Sequence, residues 1–301
     1  MMKTIDFSGV STAIATPMHN GKVDFAGLER LLEWQIAGGV TGVVPVGTTG
    51  ESPTLSADEH LEVIRRTVEI VNGRALVIAG TGSNSTEEAV EYTRKADEAG
   101  VDAMLQVTPY YNKPTQEGLF HHFSAVANVT EKPVMLYSIP GRCVIEIGIE
   151  TCERLYESHP QISAIKEAGG SCDRVAALRR ALGPDYFILS GDDNMTLPFQ
   201  AVGGDGVVSV ASNLFPAELS VMCKAARSGN FRKALEVHQR FSSFFRDIFL
   251  EPNPVPIKFL LKLAGVIDSD EVRLPLSPLQ PESKEQLKAT WETLQSEVES
   301  A

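Results

Sequence analysis

Long apolar runs are missing from the chain. No segment approaches the ~20 uninterrupted apolar residues that a membrane-spanning helix requires, so no membrane role is expected. The amino terminus, MMKTIDFSGV, lacks the apolar stretch and small-residue cleavage site of a secretory signal. Cysteine is scarce. Cys143, Cys152, Cys172 and Cys223 show neither CxxC pairing nor a companion His at zinc-ligand spacing, which sets aside a disulfide framework or a zinc site. Reduced, mostly buried thiols are expected, with the cytoplasm as the compartment. Positive charge is also short: 27 Lys and Arg against 39 Asp and Glu give a net charge of -12. Such a surface argues against a nucleic-acid partner. His121 and His122 adjoin on a predicted helix and cannot both face one metal, so helix-surface roles are expected for them and no metal site.

What is present is ordinary soluble-protein material. Hydrophobic residues make up 43% and charged residues 22% of 301 residues, enough to bury a large core. Short apolar or β-branched runs alternate with amphipathic stretches: VSTAIATP, TGVVPV, ALVIAG, DAMLQV, PVMLY, ISAIK, YFILS and GVVSV read as strands. Helical patterns fall between them, as at residues 24–37, 56–71, 86–99 and 116–128, with Asp, Ser or Thr near several starts. Three junctions, AGGVTGVVPV, EAGVDAMLQV and AVGGDGVVSV, repeat one unit in which Gly closes a helix in a left-handed conformation before an apolar strand. Eight βα units predict an α/β fold, a (β/α)8 TIM barrel over residues 1–228. The helical patterns beyond it, at 231–249, 255–264 and 282–299, predict a C-terminal helical region, 229–301, packed on the barrel.

A barrel of this kind carries its chemistry at the carboxyl ends of the strands. Lys166 ends the strand ISAIK, where desolvation would favour the neutral amine that attacks a carbonyl carbon. In PVMLYSIPGR, Tyr137 ends a strand and is a candidate proton carrier. Arg142 lies just beyond it as a permanently charged grip for a carboxylate. GTTGES at 47–52 sets Thr48 and Thr49 between glycines, so hydroxyls and backbone N–H groups can converge on a small anion. It lacks the Gly-Lys-Ser/Thr ending of a phosphate loop. Tyr110 and Tyr111 in TPYYNKP form an exposed aromatic pair that a subunit contact would cover. Taken singly, each of these has a plainer reading: a lysine paired with Glu167, a satisfied core tyrosine, a surface arginine, a capped turn.

Together, GTTGES, TPYYNKP, the YxxPxR pattern, the IKEA lysine, SGDD and GVVSV resemble, in order and spacing, the dihydrodipicolinate synthase family, whose superfamily includes N-acetylneuraminate lyase. The resemblance covers essentially the whole chain. It implies that Lys166 forms an imine with pyruvate, that Tyr137 passes protons there, and that Thr48 and Tyr111 complete a relay. The position of Tyr111 implies a reach into a neighbouring subunit's site, hence a homo-oligomer, a tetramer built as a dimer of dimers. Thr49 and Val208 would line the pyruvate site and Gly191 would sit near the bound substrates. Arg142 would hold the carboxylate of L-aspartate 4-semialdehyde. The product would be 4-hydroxy-tetrahydrodipicolinate, on the route to diaminopimelate and lysine, with no metal or organic cofactor required.

The resemblance also implies an L-lysine feedback site at His60, Asn84, Glu88 and Tyr110, with Pro53, Ala57 and Gly82 beside them. Ala57 stands where relatives often carry His, which weakens that implication. The usual Asn after the tyrosine is Ser138, and the usual Thr after the arginine is Cys143, so the support of Arg142 differs from the family pattern. A sugar-acid lyase of the same superfamily is opposed by Arg142. A barrel that only binds a keto acid is opposed by nucleophile, phenol and relay hydroxyls occurring together.

Overall fold

In the computed structural model, residues 5–299 are described. Residues 1–4 of the amino-terminal stretch and the last two residues of the 229–301 region lie outside them. Eight parallel strands close into a barrel: β1 (Gly9–Ala13), β2 (Gly42–Val44), β3 (Leu76–Gly80), β4 (Ala103–Val107), β5 (Val134–Ser138), β6 (Ile162–Glu167), β7 (Phe187–Ser190) and β8 (Gly206–Ser209). Each pairs with its sequence neighbours, and β8 returns to β1 with Val208 opposite Ser11. Closure demands a particular residue there. A Cβ at Gly206 would run into the backbone of Gly9, so only glycine lets the first and last strands meet.

The inward side chains fill the barrel rather than leaving a pore. Ala13, Val44, Ile78, Met135, Ala164 and Leu189 pack there, and buried Phe7 lies just before β1, edge-on to Phe187 at 5.6 Å between ring centroids. Both sides of each strand are covered, which is why the strand sequences are apolar without alternation.

Helices α1 (Phe25–Ala37), α2 (Ala57–Val71), α3 (Thr86–Glu98) and α4 (Gln116–Ala127) fall where the periodicity predicts, because their starts are capped. Asp24, Ser56, Ser85 and Thr115 each accept a backbone N–H of the first turn. Ser56 and Glu59 form a reciprocal capping box, a motif that stabilises a helix start by about 1 kcal/mol. The junction glycines Gly39, Gly100 and Gly203 all hold positive φ, as the repeated unit requires. The outer ring continues through one-turn α5 (Pro140–Cys143), α6 (Ile149–Ser158), α7 (Cys172–Leu182), α8 (Thr196–Ala201) and α9 (Pro216–Arg227).

Three helices follow, α10 (Phe231–Asp247), α11 (Val255–Leu263) and α12 (Pro281–Glu299). They share one hydrophobic core with α1, α2 and α9. Phe215, at the start of α9, meets Phe241 and Phe244 of α10 edge-on at 5.1 Å.

Three details differ from the sequence reading. The run TGVVPV is strand only over Gly42–Val44, because the chain turns left-handed at Val46. A small hairpin pairs Met18–His19 with Lys22–Val23 across Asn20-Gly21, both at positive φ. His122 is not a surface residue. It is 5% exposed, its Nδ1 lies 2.9 Å from Thr86 Oγ1, and burial pushes the imidazole down to about 4. His121 does face solvent, beside Glu117.

Candidate active site

Lys166 and Tyr137 are register partners on β6 and β5, so their side chains leave the sheet at one level and on one side. The ammonium nitrogen lies 4.1 Å from the centroid of the tyrosine ring. Lys166 is 5% exposed, and burial lowers its amine from the usual lysine range to about 8, against the opposing charges of Asp192 and Asp193; Arg142 pushes it the same way as burial. Burial drives the Tyr137 phenol well above its usual value, with Arg142 and a hydrogen bond to Thr48 acting the other way. The pair therefore offers a part-neutral amine over the ring of a phenol that stays protonated.

Both groups open on a cleft of about 450 Å³ whose walls include Thr48, Thr49, Arg142 and Gly191. A Cβ at Gly191 would approach Lys166 Cε to 3.2 Å and Ala168 Cβ to 2.6 Å, so glycine keeps the space beside the amine free. The far wall comes from the segment between α10 and α11, through Phe249, Pro252 and Asn253.

The threonine loop between β2 and α2 is strained at both ends. Val46 and Glu51 sit at φ 50° and 57°, a region that costs a residue with a Cβ about 1–3 kcal/mol, and Val46 is β-branched. Such a conformation persists only where surrounding groups fix it. Gly80 N donates to Pro45 O at 3.0 Å and Thr16 Oγ1 to Gly50 O at 2.8 Å. Asn253 Nδ2 donates to Thr49 Oγ1 at 2.9 Å. Glu51, itself buried, accepts from Lys258 Nζ at 2.5 Å through Oε1 and from Arg273 N at 3.0 Å through Oε2.

Two aspartates stand after β7. Asp192 lines the cleft, and burial raises its carboxyl against the lowering effect of Lys166. Asp193 is enclosed: Oδ1 accepts from Ser209 Oγ at 2.5 Å, and Oδ2 from Val210 N and Ala211 N at 3.0 Å each. It welds the turn after β7 to the end of β8. Two strands round the barrel, Arg142 is exposed on α5, whose first turn is closed by Arg142 N donating to Ile139 O at 3.0 Å. Glu167 anchors the loop beyond: its Oε2 takes Arg174 Nε at 2.9 Å, and Arg174 Nη2 donates to Ile147 O at 2.5 Å. Among the described residues, no group of three or more His, Cys, Asp or Glu is placed to hold a metal ion, and no helix is long and apolar enough to cross a membrane.

The model of the dihydrodipicolinate synthetase family matches residues 6–294, nearly the whole barrel and its helical extension. The chain belongs to that family. It is accordingly a lyase. The chain is similar to the solved structure of the 4-hydroxy-tetrahydrodipicolinate synthase of Methylacidiphilum fumariolicum SolV, at 52% identity and a TM-score of 0.96, with 98% of each chain covered. It is 50% identical over 273 residues to the 4-hydroxy-tetrahydrodipicolinate synthase of Leptospira biflexa, covering 91% of this chain and 92% of that one. The chloride-inhibited dihydrodipicolinate synthase of Acinetobacter baumannii, solved in complex with pyruvate, is 41% identical with a TM-score of 0.93, covering 96% of this chain and 99% of that one.

Of the residues singled out from the family pattern, Lys166, Tyr137, Thr48, Thr49, Arg142 and Gly191 meet at this one cleft. Val208 lies a layer deeper, fully buried in the barrel interior with Tyr137 and Leu189, while Val210 reaches the cleft wall. Tyr111 does not enter its own cleft: it is 90% exposed, at φ 72°. Tyr110, Pro53 and Gly82 line an adjoining cavity of about 240 Å³ that shares Thr48, Tyr137 and Arg142 with the first.

The remaining members of the lysine-site set lie around that second cavity's edge of the molecule. His60 is buried, stacked on Tyr92 at 4.3 Å with Nε2 2.9 Å from Gly80 O. Glu88 accepts the hydroxyl of Ser83, and Asn84 Nδ2 donates to Tyr110 O at 3.2 Å. The departures from the family pattern also find places. Ser138 is buried and its Oγ accepts from Ile147 N at 3.4 Å, and Cys143 lines the second cavity with its thiol pushed up to about 11 by burial.

Sequence reading alone passed over Glu51, Asp192, Asp193, Asn253 and Lys258. Three of these, Glu51, Asp192 and Asp193, stand inside motifs already noted, GTTGES and SGDD; the proline-rich EPNPVP between two helical patterns is the signal for Asn253.

Proposed function

We propose that the chain condenses pyruvate with L-aspartate 4-semialdehyde to form 4-hydroxy-tetrahydrodipicolinate through an imine on Lys166, in the biosynthesis of diaminopimelate and lysine. The observation that carries this reading is the enclosed Lys166 amine, lowered to about 8, lying over the Tyr137 ring in a cleft walled by the threonine loop. A neutral amine is the nucleophile that a keto acid requires. Binding of pyruvate by its family relative from Acinetobacter baumannii supports the same substrate.

The neutral Nζ attacks C2 of pyruvate, and Tyr137 returns a proton to the developing alkoxide. Loss of water from the carbinolamine leaves the imine. The carboxylate sits on the loop of Thr48 and Thr49. Because Thr49 Oγ1 already accepts from Asn253, its own proton is free for that carboxylate. Removal of a methyl proton gives the enamine, which attacks the aldehyde carbon of the second substrate, held by Arg142 through a charge-assisted pair. The amino group of the adduct then displaces the lysine, closing the ring and freeing the enzyme. Thr48, bonded to Tyr137, passes protons outward.

Exposed Tyr111 belongs to the relay of a second copy in a homo-oligomer, a tetramer as a dimer of dimers in the cytoplasm. Barrel residues 1–228 and the helical region 229–301 form one catalytic unit. L-Lysine binds as a feedback inhibitor beside Asn84, Glu88 and Tyr110, with His60 supporting the site from within. The chemistry needs neither metal nor organic cofactor, since the lysine is the electron sink.

Intact-mass measurement of wild type and Lys166→Ala after pyruvate and borohydride, with a coupled assay using aspartate semialdehyde, tests the reading. A pyruvate adduct on wild type alone, with turnover of that aldehyde, is expected. No adduct on wild type would end the imine mechanism, and an adduct without turnover would assign a different aldehyde.

A further inference from the structure

Among the ion pairs of the described residues, that of Glu51 and Lys258 is deeply enclosed, with side chains 1% and 0% exposed and 2.5 Å between Nζ and Oε1. Neither residue touches the cleft. Their position in the chain is what gives the pair meaning. Glu51 ends the loop that carries Thr48 and Thr49, and it does so at φ 57°, a conformation its own backbone disfavours. Lys258 lies on α11, five residues after Asn253, whose amide grips Thr49. The loop is thus pinned at two points by one continuous segment from the C-terminal helices. Arg273 adds a third pin, its backbone N–H on the other oxygen of Glu51 and its guanidinium on Thr54 O and Glu59.

A barrel needs none of this to close, since β1 to β8 pair without residues beyond Ser209. A lysine buried in place of an apolar side chain is also a poor source of stability, because desolvation offsets most of the attraction. What a short, enclosed pair does supply is a fixed distance between two elements. The loop's strained ends would otherwise relax, and Thr48 would leave its place beside Tyr137 in the cleft wall.

We infer that Lys258 is a positioning residue for the reaction, acting through Glu51 to hold Thr48 and Thr49 in register with Lys166 and Tyr137. The inference rests on the proposed imine chemistry. It places the effect on the pyruvate half of the reaction, because Arg142 is carried by a different loop with its own anchors.

The test compares wild type, Lys258→Met, Glu51→Gln and the double variant, far below the lowest melting midpoint among them. The readouts are pyruvate KM, the rate of borohydride-trapped adduct formation, KM for the aldehyde and the melting midpoint. Each single variant is expected to slow adduct formation roughly tenfold or more and to raise pyruvate KM, with KM for the aldehyde nearly unchanged. The double variant should be no worse than either single one, because the charges act as one unit. Should Lys258→Met fail to fold, Glu51→Gln, which keeps shape and one oxygen acceptor, carries the same comparison. Trapping rates and pyruvate KM within about twofold of wild type, alongside lowered melting midpoints, would overturn the inference and leave the pair a structural one. Equal rises in both KM values would overturn it as well. Wild type that gives no adduct would instead remove the imine reading itself.

Discussion

The charge state of the Lys166 amine is set by a contest among its neighbours. Burial and Arg142 disfavour its charge, while Asp192 and Asp193 favour it, and the balance falls at about 8. The amine is therefore about one-tenth neutral at pH 7 and half neutral at pH 8, where an ordinary lysine near 10.4 would be almost wholly charged. A folded-state value below the unfolded one means that raising pH through 8 supplies nucleophile. Adduct formation with pyruvate is expected to rise about tenfold from pH 6 to 7 and to level off above pH 9, as followed by quenched mass measurement. Asp192→Asn removes a charge that favours the ammonium and should shift that profile to lower pH. At the end of an apolar strand Lys166 stands out in the sequence, but taken singly it reads equally as a lysine paired with Glu167, and the family pattern is what marks it. The sequence does not make Asp193 legible, because its partners, the Ser209 hydroxyl and the N–H groups of Val210 and Ala211, lie at the end of another strand, sixteen to eighteen residues on.

Elements with their own local signals were readable from the chain. Helices α1 to α4 appear within a residue or two of expectation because caps and apolar spacing both mark them. The Asn20-Gly21 turn carried an equally plain signal, a dipeptide suited to positive φ in a two-residue hairpin, and was passed over because its strands are only two residues each. The threonine loop is different in kind. Left-handed valine and glutamate contradict local preference, so no reading of GTTGES alone gives its shape; only contacts from Gly80, Thr16, Asn253 and Lys258 do. A Cβ at Gly80 would come within 2.5 Å of Val46 O and 3.1 Å of Gly47 N. Gly80→Ala should therefore push the loop from behind and lower kcat/KM for pyruvate on the order of 10- to 100-fold. Circular dichroism should show the helices retained; unchanged kinetics would mean the loop has slack the contacts do not reveal.

At the scale of the whole molecule, the cleft holds Lys166, Tyr137 and the threonine loop, yet Tyr111 turns away from it, 90% exposed. If Tyr111 serves a neighbour's cleft, mixed oligomers reveal it. Tyr111→Phe and Lys166→Ala should each be nearly inactive alone. Dissociated together and reassociated, they form hybrids in which one cleft has both an intact lysine and an intact tyrosine, so activity should recover to about a quarter of wild type for random pairing. No recovery, with hybrids confirmed by native mass measurement, would confine Tyr111 to its own subunit. The eight-strand architecture was open to sequence reading because the βα unit repeats. The contribution of the last helices was not, since Asn253 and Lys258 act on residues some two hundred positions earlier.

That separation also sets an order in time. During synthesis the amine of Lys166 and the threonines of its cleft leave the ribosome well before the segment from Asn253 to Lys258. A growing chain thus presents Lys166 while the threonine loop still lacks its rear clamps. On the proposed imine chemistry, competence toward a keto acid arrives only near the end of translation.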